Sequence, residues 1–296
     1  MHDHRPPRAG RDLRLAVDGL SLHAIDYGDE RRPESAALPP LLLLHGGMAH
    51  ARWFDWLGPL LASAYRPIAL DRRGHGDSDW TEPERYGWER DLADVAAVCG
   101  ALDPGPWTVV GHSQGGLIAA ALAARRPGWV GALVLLDVPL HPTGPRLRRT
   151  GEALRKVPQL RWPSLEDAAR SFRPFPTPHR IPEDALRHLA RASFKPTGDG
   201  GYTSKFHWKI FQRNGAREAN PLARFADELR DIAVPTLCLR GAESSILTPE
   251  EHAEMARRIP SARAVEISRA THNVHVEEPE SVAREILEFA GLMPFA

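Results

Sequence analysis

The chain has 296 residues, 42% hydrophobic and 26% charged, enough apolar material for one α/β core carrying an insertion. Lysine plus arginine and aspartate plus glutamate both number 38, so no net field draws the chain toward nucleic acid or a membrane surface. Residues 1–12 are rich in His, Arg, Pro and Asp with no apolar stretch and do not resemble a signal peptide, and no run approaches the roughly 18 apolar residues of a membrane helix. The expectation is a cytoplasmic protein with a disordered tip at residues 1–12. Cys99, in a helix-like run, and Cys238, in a strand-like run, read as buried free thiols.

In chain order, residues 13–17 and 21–27 read as an antiparallel pair, with Asp18 and Gly19 supplying the turn. Residues 41–44 are wholly apolar and end in His45, Gly46 and Gly47, the pattern of a buried strand. Residues 66–70 form the next strand and lead into a charged loop from Asp71 to Asp79. A helical period covers 87–101, a strand closes at 109–111, an Ala-rich helix covers 115–126, and a strand at 133–136 ends at Asp137.

The rhythm breaks between 138 and 230, where prolines are frequent, no apolar strand is evident and short amphipathic helices are predicted at 164–172, 183–193 and 221–231. Alternation resumes with a strand at 235–240, a helix at 249–258, a strand at 264–267 and a helix at 279–292. Strands alternating with helices argue for a mostly parallel sheet covered on both faces.

Residues 107–118 read Trp-Thr-Val-Val-Gly-His-Ser-Gln-Gly-Gly-Leu-Ile, an apolar strand running through Gly-x-Ser-x-Gly into a helix. Small residues at 111, 115 and 116 let the chain reverse sharply at Ser113 and lift its hydroxyl above the sheet edge, at a helix N-terminus. Four motifs then stand in order: His45-Gly46-Gly47-Met48, Asp71 through Asp79, Gly111 through Gly116, and Thr271-His272-Asn273-Val274-His275. With these the chain, from about residue 13 to 292, resembles the α/β-hydrolase fold superfamily, in particular its serine-nucleophile, esterase-like members. The resemblance implies a mostly parallel eight-stranded sheet flanked by helices, with 13–137 and 231–296 forming the core and 138–230 a helical cap over the site.

A serine hydroxyl needs a base within hydrogen-bond reach, and Ser113 is the candidate nucleophile. The superfamily runs nucleophile, acid, histidine along the chain, which makes His272 the expected base and His275 the fallback. Thr271 precedes His272 where the superfamily usually has Gly. The acid position is a departure. Gly241-Ala242-Glu243-Ser244-Ser245 places Ser245 where the superfamily usually has Asp, and a serine cannot carry the charge. Asp137, 24 residues beyond Ser113, is the first choice for the acid and Glu243 the second, with a Ser113–His272 dyad as a third possibility.

The oxyanion hole is expected from the backbone amides of Gln114 and Gly47, with Met48 the alternative to Gly47. His45, Gly46, His112, Trp53 and Trp208 are expected around the substrate pocket. His45 is also a candidate to brace its loop. Aromatic residues of the insertion (Trp162, Phe172, Phe175, Phe194, Tyr202, Phe206, Trp208 and Phe211) either wall an apolar pocket or pack the cap onto the core. Trp53, Phe54 and Trp56, after the oxyanion loop, either touch ligand or pack a helix.

The Asp71–Asp79 loop lacks the Lys-Ser or Lys-Thr of a phosphate-binding loop; arginine–aspartate pairing beside the site is expected instead. Neither late histidine has a third ligand nearby, so no metal is expected, and no cofactor is required.

These residues point to a serine hydrolase of small or medium carboxylic esters, lactones or thioesters. The same constellation serves carbon–carbon bond hydrolysis and cofactor-free perhydrolysis, and a non-catalytic binding homologue that has lost the acid is the alternative of another class. A small-molecule, ester-like substrate is the expected partner, with no nucleic acid and no membrane, and the oligomeric state is open.

Overall fold

The computed structural model describes residues 10–28, 37–126, 128–141, 152–176, 179–212 and 225–291. Eight strands form one sheet: β1 (Arg11–Val17), β2 (Leu20–Asp26), β3 (Pro40–Leu44), β4 (Arg66–Leu70), β5 (Trp107–His112), β6 (Val130–Leu136), β10 (Thr236–Gly241) and β11 (Ala262–Ile267). Their order is β1-β2-β4-β3-β5-β6-β10-β11. β1 pairs antiparallel with β2, and β2 with β4; every other pairing in this sheet is parallel. The strand reading of the sequence therefore holds, with earlier starts for β6 at Val130 and β11 at Ala262; β1 also begins early, at Arg11, so Arg11 and Asp12 belong to the sheet, paired with Asp26 and Ile25, rather than to a disordered tip.

The central strands are apolar almost without interruption because both faces are covered. Leu42, Leu44 and Val109 face a core completed by α2 (Trp88–Leu102), α3 (Gln114–Arg125) and α7 (Pro249–Arg258). Leu41, Leu43 and Val110 face the opposite core, built with α1 (Leu57–Leu61) and α9 (Pro279–Phe289). Both Cys99 and Cys238 are buried free thiols in the first of these cores. A capping box fixes the start of α7: the Thr248 hydroxyl accepts from the Glu251 N–H at 3.2 Å, and the Glu251 carboxylate accepts from the Thr248 N–H at 3.1 Å.

Between β6 and β10 lie α4 (Leu165–Ser171), α5 (Glu183–Ala192) and α6 (Phe225–Glu228), the last continuing as a 3₁₀ turn through Leu229–Asp231. Residues 221–224 and 292, included in two predicted helices, lie outside the described residues. The same stretch also holds a small antiparallel sheet, ordered β7-β9-β8, of β7 (Arg161–Trp162), β8 (Phe194–Pro196) and β9 (Tyr202–Ser204). This corrects the expectation of an all-helical insertion. Strands of two or three residues are too short to leave an alternating pattern, and their pairing is non-local. No helix among the described residues is long and apolar enough to cross a membrane.

Candidate active site

The parallel order carries the C-terminal ends of β5, β6 and β10 to one edge of the sheet. His112 pairs with Leu136 and Leu239 with Leu136, so Ser113 and Asp137, which follow β5 and β6, emerge on the same edge as Gly241, the last residue of β10. Ser113 has φ +50° and ψ −118°, a conformation rarely adopted outside glycine. Its N–H donates to the Leu136 carbonyl at 3.0 Å, and its carbonyl accepts from Gly116 and Leu117 at 3.0 and 3.2 Å. Met48 (φ +60°) and Asp137 (φ +47°) share the positive φ. Ser113 and Met48 line one cavity, and Asp137 is bonded to His272, which lines it too; at about 1–3 kcal/mol each, the three mark a region where the fold maintains strain.

Close packing at Ser113 depends on glycine. A Cβ at Gly115 would lie 2.2 Å from the Leu44 carbonyl oxygen and 2.6 Å from that of His45, so α3 can meet β3 only because no side chain stands there. On the other side, a Cβ at Gly241 would lie 1.9 Å from the Thr271 carbonyl oxygen. That contact presses the loop bearing His272 against the end of β10.

The result joins two residues 135 positions apart. His272 Nδ1 donates to Asp137 Oδ2 at 2.7 Å, with the two side chains 3% and 0% exposed. Asp137 also accepts from the Gly241 N–H (3.0 Å) and from the Ser244 hydroxyl (2.6 Å). Three donors hold the carboxylate in one orientation. His112 Nε2 donates to the His272 carbonyl at 2.9 Å and its ring lies 4.6 Å from that of His272, bracing the loop from below. Ser113, His112, His272 and Asn273 all line one cavity of about 960 Å³.

Glu243, the second choice for the acid, is elsewhere. Its carboxylate pairs with Arg180 Nε at 2.7 Å and is 45% exposed. The 241–245 turn directs Ser244 inward and Glu243 outward, so this segment contributes a hydroxyl to Asp137 instead of a charge. The fallback base His275 is fully buried among Phe54, Trp53 and His112. Both its ring nitrogens lack hydrogen-bond partners among the described residues, burial pushes its pKa down to about 3, and, unlike His272, it does not line the cavity that Ser113 borders.

Gly46, Gly47, Met48 and Gln114 line the same cavity as Ser113. Arg72 ties their two loops together: one guanidinium nitrogen, Nη2, donates to the Gly46 carbonyl at 3.2 Å and to Gln114 Oε1 at 3.0 Å. His45 was expected at the pocket but does not line it. It is fully buried, its Nδ1 donating to the Gly46 carbonyl (2.7 Å) and its Nε2 accepting from the Arg72 N–H (3.2 Å). It braces the loop, the other role proposed for it. Trp53 and Trp208 do line the cavity, as do all the insertion aromatics named above except Tyr202. Phe54 is packed in the core.

Two ties went unseen in the sequence. Glu277 accepts from the Thr271 hydroxyl (2.7 Å) and from the Arg180 N–H (2.9 Å). Arg180, in the insertion, thus holds both the His272 loop and the Glu243 turn. Glu277, five residues after His272 and just before Pro279, was the available signal.

The Asp71–Asp79 loop is fixed as expected by arginine–aspartate pairing, although the partner lies outside it: Arg73 chelates Asp94 through two 2.6 Å contacts. His23, Asp71 and Asp77 stand close enough to hold a cation, but their atoms are occupied by one another and by neighbours. His23 Nδ1 meets Asp71 (2.6 Å), Nε2 meets Asp12 (2.8 Å), and Lys205 pairs with Asp77 (2.7 Å). The donor set reads as a brace between β2 and the loop.

The buried histidines give the protein an acid limit. Burial, with Arg72 nearby, pushes His45 and His75 well below the ordinary value; burial pushes His112 well below it, and His50 down to about 4. Each stays neutral when folded and gains a proton on unfolding below about pH 6.5, costing up to about 1.4 kcal/mol per pH unit per site. Burial opposes charge on His23, yet the Asp71 and Asp12 carboxylates raise its pKa. Its stabilisation is present below pH 6.5 and is lost only as pH rises through the folded value, so it adds nothing to the acid loss. Urea midpoints are expected to fall steeply from pH 7 to pH 4.5; a flat profile would contradict neutral burial.

The strained serine elbow, the strand order and the buried Asp–His contact are those of an α/β-hydrolase. Residues 39–279 match the alpha/beta hydrolase fold family, to which the chain belongs. It is 30% identical over 252 residues to the esterase Rv0045c of Mycobacterium tuberculosis, covering 82% of this chain and 80% of that one. It is 26% identical over 265 residues to the sn-1-specific diacylglycerol lipase ABHD11 of Mus musculus, covering 86% and 81%. Among solved structures, the thioesterase domain from the curacin biosynthetic pathway superposes with a TM-score of 0.77 at 25% identity, covering 95% of this chain and all of that one.

Proposed function

We propose that the protein hydrolyses small or medium carboxylic esters through an acyl-enzyme on Ser113, with His272 as base and Asp137 as the acid that orients it. The observation that carries this reading is the 2.7 Å contact from His272 Nδ1 to Asp137, in a loop that borders the same cavity as Ser113. With Nδ1–H committed to Asp137, Nε2 is the nitrogen available to take the Ser113 proton. Ser113 Oγ then bonds to the carbonyl carbon, and the electron pair of the C=O moves onto oxygen. The amides of Gln114 and Gly47, or Met48 in its place, stabilise that oxyanion, each donor contributing about 3–4 kcal/mol. Collapse expels the alcohol, which takes the proton from His272, and water repeats the steps to release the acid.

The aromatic lining supports an apolar acyl group. Leu160 and Phe175, the two exposed large hydrophobic residues among those described, both border the cavity and suit an apolar approach path. The insertion serves as the cap. The names of the esterase and lipase relatives support the ester class, with thioesters and lactones as close variants.

Pre-steady-state release of p-nitrophenol from p-nitrophenyl acetate or butyrate tests this reading. A burst of about one equivalent per chain, followed by a slower steady rate, is expected for acyl-enzyme formation. Absence of turnover on these and on lactone or thioester analogues would favour a binding role.

A further inference from the structure

Asn273 directly follows His272, is only 1% exposed and borders the cavity. It holds the N-cap position of the short helix α8 (Val274–Glu277), where an asparagine ordinarily turns its side-chain oxygen onto the N–H groups of the first turn. Its side chain makes no such bond. The turn is closed by its backbone carbonyl, which accepts from Val276 and Glu277 at 2.9 and 3.0 Å. The amide nitrogen Nδ2 has no partner among the described residues. A buried amide nitrogen without a protein partner is a costly choice for a pocket wall, unless a bound molecule completes it.

Its place indicates which part of that molecule. On the esterase reading above, on which this inference rests, His272 returns its proton to the departing alcohol. That transfer brings the alcohol side of the scissile bond to the His272 loop, whose next residue, Asn273, borders the same cavity. We propose that Asn273 is a specificity residue for the leaving group. Its amide hydrogen-bonds a second oxygen carried by the alcohol, so that 2-hydroxyalkyl esters are preferred over plain alkyl esters.

The test uses 2-hydroxyethyl and n-propyl esters of one acid, whose leaving groups match in size, with kcat/KM corrected for their alkaline hydrolysis rates. The wild-type enzyme is expected to favour the hydroxyethyl ester about five- to tenfold, the usual worth of one neutral hydrogen bond. Asn273→Ala and the volume-matched Asn273→Leu are each expected to bring that ratio near one. Losses common to both esters, such as a disturbed His272 loop, cancel in the ratio. A wild-type ratio near one, or a preference that survives in either variant, overturns the proposal. So does failure to cleave either ester by a protein that still gives the p-nitrophenol burst. Loss of the burst itself identifies the esterase reading as the failed step.

Discussion

Ser113→Ala is expected to lower kcat for p-nitrophenyl esters by about 10⁴–10⁶-fold while leaving the fold intact, because the oxyanion donors and the pocket survive without a nucleophile. Alanine is as strained as serine at φ +50°, so the substitution adds no new backbone conflict, and thermal unfolding should move little. The backbone bonds to Leu136, Gly116 and Leu117 do not involve the hydroxyl. His272→Ala should cost a similar factor, and the double variant should be no worse than either single one, since serine and imidazole act as a unit. A loss below about tenfold for Ser113→Ala would mean that turnover arises elsewhere.

Asp137→Asn is expected to cost about 10³–10⁴-fold in kcat. An asparagine amide facing His272 Nδ1 would reverse the tautomer and leave Nε2 carrying the proton it needs to accept. It also cannot satisfy Gly241 N–H, Ser244 O–H and His272 N–H together, since only one of its two atoms accepts. Glu243→Gln breaks only an exposed pair with Arg180, which contributes at most about 1 kcal/mol, and kcat should stay within about twofold. The opposite ranking of the two variants would return the acid to the 241–245 turn.

The proposed nucleophile and base were legible because each carries a local signature: glycines around Ser113 that permit a turn, and a histidine shortly after the last strand. The acid was harder. Asp137 is a single residue at a strand end, and only the register of β6 beside β10 brings the Gly241 N–H and Ser244 hydroxyl onto it. The serine at 245 signalled that the usual acid was missing, but nothing local said that its neighbour Ser244 would turn inward. Arg72 and Arg180 act through partners 26 to 97 positions away, beyond the range of any spacing argument. The sheet was readable because its buried strands are continuous apolar runs. The insertion was readable only in its helices, since its strands are short and its packing depends on aromatic contacts such as Trp162 with Phe194, 5.0 Å between ring centres.

The most direct measurement is covalent: intact-mass analysis and peptide mapping after exposure to a fluorophosphonate at neutral pH, on the wild-type chain and on His272→Ala. One adduct per chain on Ser113, formed at least about 10³-fold more slowly without the imidazole, is the expected result. A folded wild-type protein that stays unlabelled, or one labelled equally fast without His272, would contradict activation of that hydroxyl by the Asp137–His272 pair.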